Sequence, residues 1–156
     1  KQRPATDFGG LVAGDVDDVT WYGRGPGESY VDSAESSLLG RYERSVSDLH
    51  TPYVRPQSNG TRTDTRWVAL ADGEVGLCAT GDGFTDFRAH HYDERALEAA
   101  AHDHELERDD AVTVSLDHAH CGLGTGSCGP TTLPEYRVPF DAYEFSVGLR
   151  PFVDGV

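Results

Sequence analysis

The sequence predicts an all-β protein, an antiparallel β-sandwich with one or two short helices. Short apolar runs recur along the chain between Gly, Pro, Asn and Asp residues, a pattern typical of many strands joined by turns. Seven Tyr, six Phe and two Trp can fill a core, although only 37% of the residues are hydrophobic. Since 156 residues make about one domain, we expect one thin core.

The first predicted strand covers residues 16–22, where Val and aromatic residues precede the turn residues Gly23 and Gly25. A short helical turn is expected within residues 32–39. The next apolar run predicts a second strand over residues 41–46.

The pair Asn59-Gly60 predicts a hairpin turn, because these residue types accept positive φ angles at little steric cost. Strands are therefore expected near it over residues 53–56 and 63–70. The second of these alternates polar and apolar side chains and should be half-buried. Two further apolar runs, each bounded by Gly or Asp, predict strands over residues 75–79 and 87–91.

One helix is predicted to begin after Asp93 and to end near His102. The Asp93 carboxylate can accept hydrogen bonds from amides of the first turn, and Ala96, Leu97 and Ala100 recur at helical spacing. The remaining expected elements are a strand over 112–116, a glycine-rich loop over 121–134, and two last strands over 136–138 and 143–149.

The formal net charge of −14 argues against nucleic acid as a partner. The chain has 27 acidic and 13 basic residues, whereas nucleic acids are bound by Lys and Arg side chains that neutralise phosphates. The acidic residues are spread along the chain, and Lys1 is the only lysine. We therefore expect a halophilic protein, since high salt screens such self-repulsion.

No apolar run approaches the ~18 residues that span a bilayer, so we expect no membrane partner and a cytoplasmic location. The chain contains no Met, even at position 1, which leads us to expect that it begins within a longer reading frame. Three cysteines are too few for a disulfide scaffold, and we expect them to be thiols.

The densest set of metal-ligand residue types is His118, His120, Cys121 and Cys128. Structural zinc sites usually combine two close ligand pairs, and the two cysteines here are spaced more loosely than that. We weigh zinc binding against packing in a loop and predict packing, with no metal site in this chain. A nucleophilic Cys128 activated by a histidine is weighed against an inert thiol, which is favoured.

Several segments together resemble one family. Residues 21–30 read Trp-Tyr-Gly-Arg-Gly-Pro-Gly-Glu-Ser-Tyr, and residues 51–60 read Thr-Pro-Tyr-Val-Arg-Pro-Gln-Ser-Asn-Gly. Both are similar to motifs in the C-terminal domain of glycoside hydrolase family 2 β-galactosidases, the bacterial lactose-hydrolysing type. Residues 63–67, 102–106 and 122–130 resemble later segments of that domain, in the same order.

The resemblance implies both a fold and an activity. The family's fifth domain is a galactose-mutarotase-like supersandwich, and residues 1–156 would be its C-terminal half, the β-galactosidase small chain. The complete enzyme hydrolyses terminal non-reducing β-D-galactose residues in β-galactosides such as lactose. Its catalytic carboxylates lie in a preceding (β/α)8 barrel, so we assign no catalytic residue to this chain and expect it to be inactive alone.

The resemblance also implies partners and cofactors. These are the remaining β-galactosidase domains or a large subunit, a β-galactoside sugar, and a homo-oligomer in the complete enzyme. Magnesium and sodium are implied for the complete enzyme, and no cofactor for this chain. Cys128 stands where some members place a Trp that stacks on the sugar, so Cys128 is the expected substrate-binding residue.

The chain departs from the family pattern at several positions. Val31-Asp32-Ser33 stands in place of Pro-Asp-Arg, Ser58 stands where Glu is common, and the first fifteen residues fit the expected strand poorly. One alternative is therefore an inactive gene fragment. Another is a free-standing carbohydrate-binding sandwich, which needs an exposed aromatic platform, whereas Trp21 and Trp67 lie in strand-like runs where burial is expected. An active mutarotase would follow from fold analogy alone.

Overall fold

A computed structural model of the chain describes residues 6–12, 16–82, 86–125 and 128–154, with side chains from residue 16 onward. Within these ranges the strands and the α-helix are β1 (Thr6–Val12), β2 (Asp18–Gly25), β3 (Leu38–Ser45), β4 (Trp67–Asp72), β5 (Val75–Asp82), β6 (Asp86–His90), α1 (Glu94–Ala99), β7 (Val112–Ala119) and β8 (Ser146–Val153). Single 3-10 turns cover Ala34–Ser36, Ser47–Leu49, Asp103–Glu105 and Pro134–Tyr136.

The strands form two antiparallel sheets with an apolar core between them. The smaller sheet has the order β1-β7-β6, and the larger has the order β3-β2-β4-β5-β8. Side chains from both sheets, such as Val19 and Leu70 of the larger and Val112 and Leu116 of the smaller, belong to one buried cluster. The predicted all-β antiparallel sandwich with a short helix is confirmed.

Trp21 and Phe87 connect the two sheets at the centre of this core. Both side chains are fully buried, and their rings meet edge to face with centroids 5.6 Å apart. Tyr42 of β3 lies against the same Trp21 ring at a centroid distance of 5.3 Å. Because alternate residues of a strand share a face, the alternating burial along β2 places Val19 and Trp21 together in the core.

Most predicted strands are confirmed, with altered ends. β2 continues through Gly23 as far as Gly25, and β4 begins at Trp67 rather than at residue 63. A Cβ on Gly23 would lie 2.9 Å from the Thr65 hydroxyl oxygen, so glycine allows the irregular chain before β4 to pass close to β2. The Arg24 N–H donates to the Thr63 carbonyl at 2.9 Å and fixes that approach.

The predicted strands over residues 53–56 and 136–138 are wrong, and so is the hairpin at Asn59-Gly60. Gly60 does have a positive φ of 76°, but the chain around it is an irregular segment held by the distant side chains of Glu28 and His90. Residues near 136 form a 3-10 turn instead. The segment that fitted a strand poorly contains β1, which pairs with β7 from Thr6 to Val12.

The predicted helix is shorter than expected. Asp93 caps it as predicted, with its carboxylate accepting from the Ala96 N–H at 2.7 Å. The helix ends before His102 because the Glu105 carboxylate accepts the Ala101 N–H at 2.8 Å, which removes that amide from helical bonding. The helical turn expected within residues 32–39 is the 3-10 turn Ala34–Ser36.

No helix in the described part of the chain is long and apolar enough to cross a membrane.

Candidate functional site

Glu28 lies where two of the sequence motifs meet, residues 21–30 and 51–60. One carboxylate oxygen accepts a hydrogen bond from the Tyr53 hydroxyl, and the other accepts from the Gly60 N–H at 2.8 Å. The Tyr30 hydroxyl lies 3.4 Å from the same carboxylate. Burial and the neighbouring Glu28 raise the pKa of Tyr53 to about 12, so both tyrosines act as neutral donors.

Arg62 is the cation of this cluster. It is only 2% exposed, and its guanidinium donates to the carbonyls of Gly60 at 2.6 Å, Leu49 at 3.2 Å and Pro26 at 3.1 Å. It also lies 5.6 Å from the centroid of the Trp21 ring, within the range of a cation–π contact. Burial lowers the pKa of Arg62 to about 10, which leaves it charged at neutral pH.

Asn59 organises the loop beside Arg62. Its side chain accepts from the Thr51 N–H at 2.8 Å and donates to the Gln57 carbonyl at 2.9 Å. The main-chain carbonyl of Asn59 accepts from Nε2 of His90 at 2.7 Å. Burial lowers the pKa of His90 to about 4, so this imidazole is neutral and its Nε2–H is the donor. These contacts stabilise the loop.

Gly60 must be glycine for two reasons. Its positive φ disfavours other residues. In addition, a Cβ there would lie 2.7 Å from the Leu49 carbonyl oxygen and 2.8 Å from the His90 ring. The sequence showed the first reason through the Asn-Gly pair but not the second.

Arg88 of β6 contacts Ser58. Ser58 stands at the position where the resemblance leads us to expect Glu. The Arg88 guanidinium donates to the Ser58 hydroxyl and forms an ion pair with Glu94 at 3.0 Å. Arg88 is only 4% exposed, and a buried cation requires a carboxylate partner. Here the first turn of α1 supplies that carboxylate.

The glycine-rich segment predicted over residues 121–134 is a loop, as expected. We call residues 121–125 and 128–138 the Cys128 loop. Its base is closed by the Gly122 N–H, which donates to the Tyr136 carbonyl at 2.8 Å, and by the Thr132 hydroxyl, which donates to the Gly122 carbonyl at 2.8 Å. Near the tip, the Thr125 carbonyl accepts from the Cys128 N–H at 3.0 Å. The Cys128 thiol is exposed.

The four zinc-ligand residue types are not gathered at one point. The His118 ring stacks on Phe145 at a centroid distance of 5.6 Å. The His120 ring lies 5.4 Å from that of Tyr30 and bonds the Cys121 carbonyl. The described residues include no group of three or more His, Cys, Asp or Glu side chains that could hold a metal ion.

The segment before the 3-10 turn Ala34–Ser36 contacts the Cys128 loop, a feature that sequence reasoning missed. The Asp32 carboxylate accepts from the Gly124 N–H at 2.6 Å. The sequence showed Asp32 only as part of a departure from the family pattern, with no sign of its partner 92 positions later. Since such a contact joins distant segments, only the folded chain reveals it.

The two tryptophans have different surroundings. Trp21 is fully buried in the core, as expected. Trp67 is only partly buried and pairs across β2 and β4 with Tyr22, whose side chain is 38% exposed. These two rings stand on the face of the larger sheet that points away from the core.

Comparison with known proteins agrees with the residue pattern. Residues 9–149 match the family model for the β-galactosidase small chain. Relatives named β-galactosidase include those of Vibrio cholerae, 36% identical over 133 residues, Arthrobacter sp., 35% over 145 residues, and Priestia megaterium, 37% over 138 residues. The aligned region covers 85–87% of this chain but only 12–14% of each relative. The chain spans a small part of those proteins, and its match to the family model shows that it belongs to the β-galactosidase small chain family.

Proposed function

We propose that this chain is the non-catalytic supporting domain of a β-galactosidase, an enzyme that hydrolyses terminal β-D-galactose residues in β-galactosides such as lactose. The family match over residues 9–149 is the observation that carries the proposal. Retaining glycosidases use two carboxyl groups about 5 Å apart. We assign that pair to other domains or to a large subunit, together with any magnesium or sodium site.

In this proposal Cys128 contacts the sugar at the mouth of the active site. Support comes from its exposed thiol and from its place in a glycine-rich loop closed by its own hydrogen bonds. A thiol cannot stack on a pyranose as an aromatic ring does, but sulfur gives a small, polarisable contact. Cys128 therefore shapes the mouth of the active site and contributes little binding energy to the sugar.

The partners follow from the same assignment. The chain joins the remaining β-galactosidase domains, and the complete enzyme is a homo-oligomer in the cytoplasm. We propose no nucleic-acid partner, because the net charge of −14 disfavours binding to phosphates. The excess of acidic over basic residues suits a cytoplasm with a high salt concentration, which screens the repulsion between carboxylates.

The test uses the chain alone and joined to a relative. Purified alone, it should not hydrolyse a chromogenic β-galactoside, and turnover would refute the assignment of catalysis to other segments. In a second arm, the matching segment of the Vibrio cholerae β-galactosidase is replaced by this chain. Restored activity, compared with the same enzyme lacking the segment, supports the supporting role, whereas failure of a folded hybrid favours an inactive gene fragment.

A free-standing sugar-binding module is a second candidate, favoured by the neighbouring Tyr22 and Trp67 rings outside the core. Aromatic faces suit the apolar side of a pyranose. Titration with galactose should then change tryptophan fluorescence in the chain alone, and a Trp67→Ala variant should abolish the change. A flat titration of the wild-type chain rejects this candidate.

A further inference from the structure

The Cys128 loop is held to the rest of the fold by Tyr30 and Asp32, two nearby residues of one segment. Tyr30 is only 2% exposed, and its ring centroid lies 5.4 Å from that of His120, the residue immediately before the loop. Two residues later, the Asp32 carboxylate accepts the Gly124 N–H at 2.6 Å. A carboxylate acceptor makes this a charge-assisted hydrogen bond, which is shorter and stronger than a neutral one.

The loop is shaped to receive this carboxylate. A Cβ on Gly122 would lie 2.6 Å from Cγ and 2.7 Å from Oδ2 of Asp32, so any larger residue would displace the carboxylate. Gly124 has a positive φ of 63°, which glycine adopts without strain and which turns its N–H toward Asp32. Two glycines of the loop are thus explained by one side chain outside it.

Asp32 is itself fixed by the fold. The Ser33 N–H donates to the Tyr30 carbonyl at 2.9 Å and the Ser33 hydroxyl accepts from the Tyr30 N–H at 3.1 Å, closing a tight turn around Asp32. The following 3-10 turn is held by the Arg24 guanidinium, which donates to the carbonyls of Ala34 at 2.8 Å and Ser37 at 2.9 Å. Because Arg24 belongs to β2, this anchoring ties the carboxylate to the larger sheet.

We propose that Asp32 is the positioning residue of the Cys128 loop, and that its bond to Gly124 sets where the loop meets the sugar. The proposal rests on the function proposed above for Cys128. Asp32 does not itself touch substrate. It acts by holding the Gly124 amide, four positions before Cys128 in the chain, against the sheet. Preorganised loops bind more tightly, because the entropic cost of ordering them is already met on folding.

The first test measures amide hydrogen exchange by NMR in the full chain. Asp32→Ala should accelerate exchange of the Gly124 amide by roughly tenfold or more, as loss of a charge-assisted hydrogen bond implies. Asp32→Asn, which retains an acceptor oxygen without the charge, should accelerate it less. Unchanged exchange of the Trp21 amide in β2 shows that the fold is intact.

Gly122→Ala provides the same perturbation from the other side of the contact. Its added methyl should expel the Asp32 carboxylate and also accelerate exchange at Gly124. Gly27→Ala is the matched control, since a Cβ there meets no atom within 4 Å. If Gly124 exchanges at the wild-type rate in both Asp32→Ala and Gly122→Ala, the proposal is overturned.

The second test measures kinetics in the Vibrio cholerae hybrid described above. Asp32→Ala should raise KM for a chromogenic β-galactoside by roughly tenfold with a smaller effect on kcat, and Asp32→Asn should recover part of the loss. If Cys128→Trp alters KM while Asp32→Ala does not, the function of Cys128 stands and the positioning role is overturned. If neither variant alters KM although exchange at Gly124 is accelerated, the sugar role of Cys128 is wrong, and the positioning proposal fails with it.

Discussion

The carboxylate of Glu28 accepts a hydrogen bond from the Gly60 N–H at 2.8 Å and so joins two segments that are distant in the sequence. The same carboxylate also accepts from the Tyr53 hydroxyl. Together the two bonds hold the irregular chain over residues 50–66 against the end of β2.

Glu28→Gln should therefore destabilise the protein. The amide keeps the shape of the side chain but replaces one acceptor oxygen with a donor that faces other donors. We expect a loss of about 1–3 kcal/mol in the free energy of unfolding, measured by urea denaturation. Glu43→Gln, on the exposed face of edge strand β3, is the control and should have no measurable effect. Equal stability of the two variants would contradict the role given to Glu28.

Phe87→Ala tests the contact between the two sheets. Removing this buried ring leaves a cavity beside Trp21, with an expected cost of about 3–5 kcal/mol. Phe140→Ala is the matched control because the Phe140 side chain is fully exposed, and it should change stability by less than about 0.5 kcal/mol. If the denaturant midpoints of the Phe87→Ala and Phe140→Ala variants were the same, the sheets would not pack through Phe87.

Stability should decrease as the pH falls from about 6.5 toward 4, in part because of His90. Burial lowers the pKa of His90 to about 4 in the folded chain, whereas an exposed histidine has a pKa of about 6.5. Between these values the unfolded chain binds the additional proton, so the free energy of unfolding falls by at most about 1.4 kcal/mol per pH unit. His90→Gln should reduce this slope, and identical slopes in the variant and the wild type would refute the prediction.

The three cysteines should react with a thiol reagent at two different rates. Cys128 is exposed, whereas Cys78 and Cys121 are buried. Burial also raises the pKa of Cys78 and so lowers its reactive thiolate fraction. We expect one rapid equivalent of modification in the folded chain and three in denaturant. Cys128→Ser should remove the rapid phase, and its persistence would place another thiol at the surface.

Added salt should stabilise the folded chain, as expected of a halophilic protein. With a net charge of −14, self-repulsion disfavours the compact state, and ions screen it over about 10 Å at 0.1 M. Tm should therefore rise steadily from dilute buffer to molar sodium chloride. A Tm that is the same at both ends of this range would remove the basis for calling the protein halophilic.

The sequence pattern predicted those secondary-structure elements that depend mainly on neighbouring residues. The Asp93 cap and the strand over residues 16–22 were both predicted, because a cap and a short apolar run are visible in residues close in sequence. The same reasoning missed the early end of α1, where Glu105 captures the Ala101 amide. It also failed at β1, a strand whose pairing partner β7 lies far along the chain.

The candidate site divides in the same way. The glycines of residues 121–134 indicated a loop, because glycines mark irregular backbone, and the family resemblance pointed to Cys128 within it. It did not indicate the contacts of Glu28, Arg62 or Asp32, since each joins segments tens of positions apart. Residues 53–56 were wrongly predicted as a strand because their apolar composition outweighed a tertiary constraint that is absent from any local window.

The pairing of β1 with β7, in which Thr6 faces Ala119, has a consequence for how the chain is made. A ribosome releases the first strand long before its partner exists, and the smaller sheet cannot close until β7 has emerged. The larger sheet is finished later still, when Val153 reaches Val75. Such distant pairings fold slowly, so β1 of the nascent polypeptide must stay unpaired without aggregating until β7 has been synthesised.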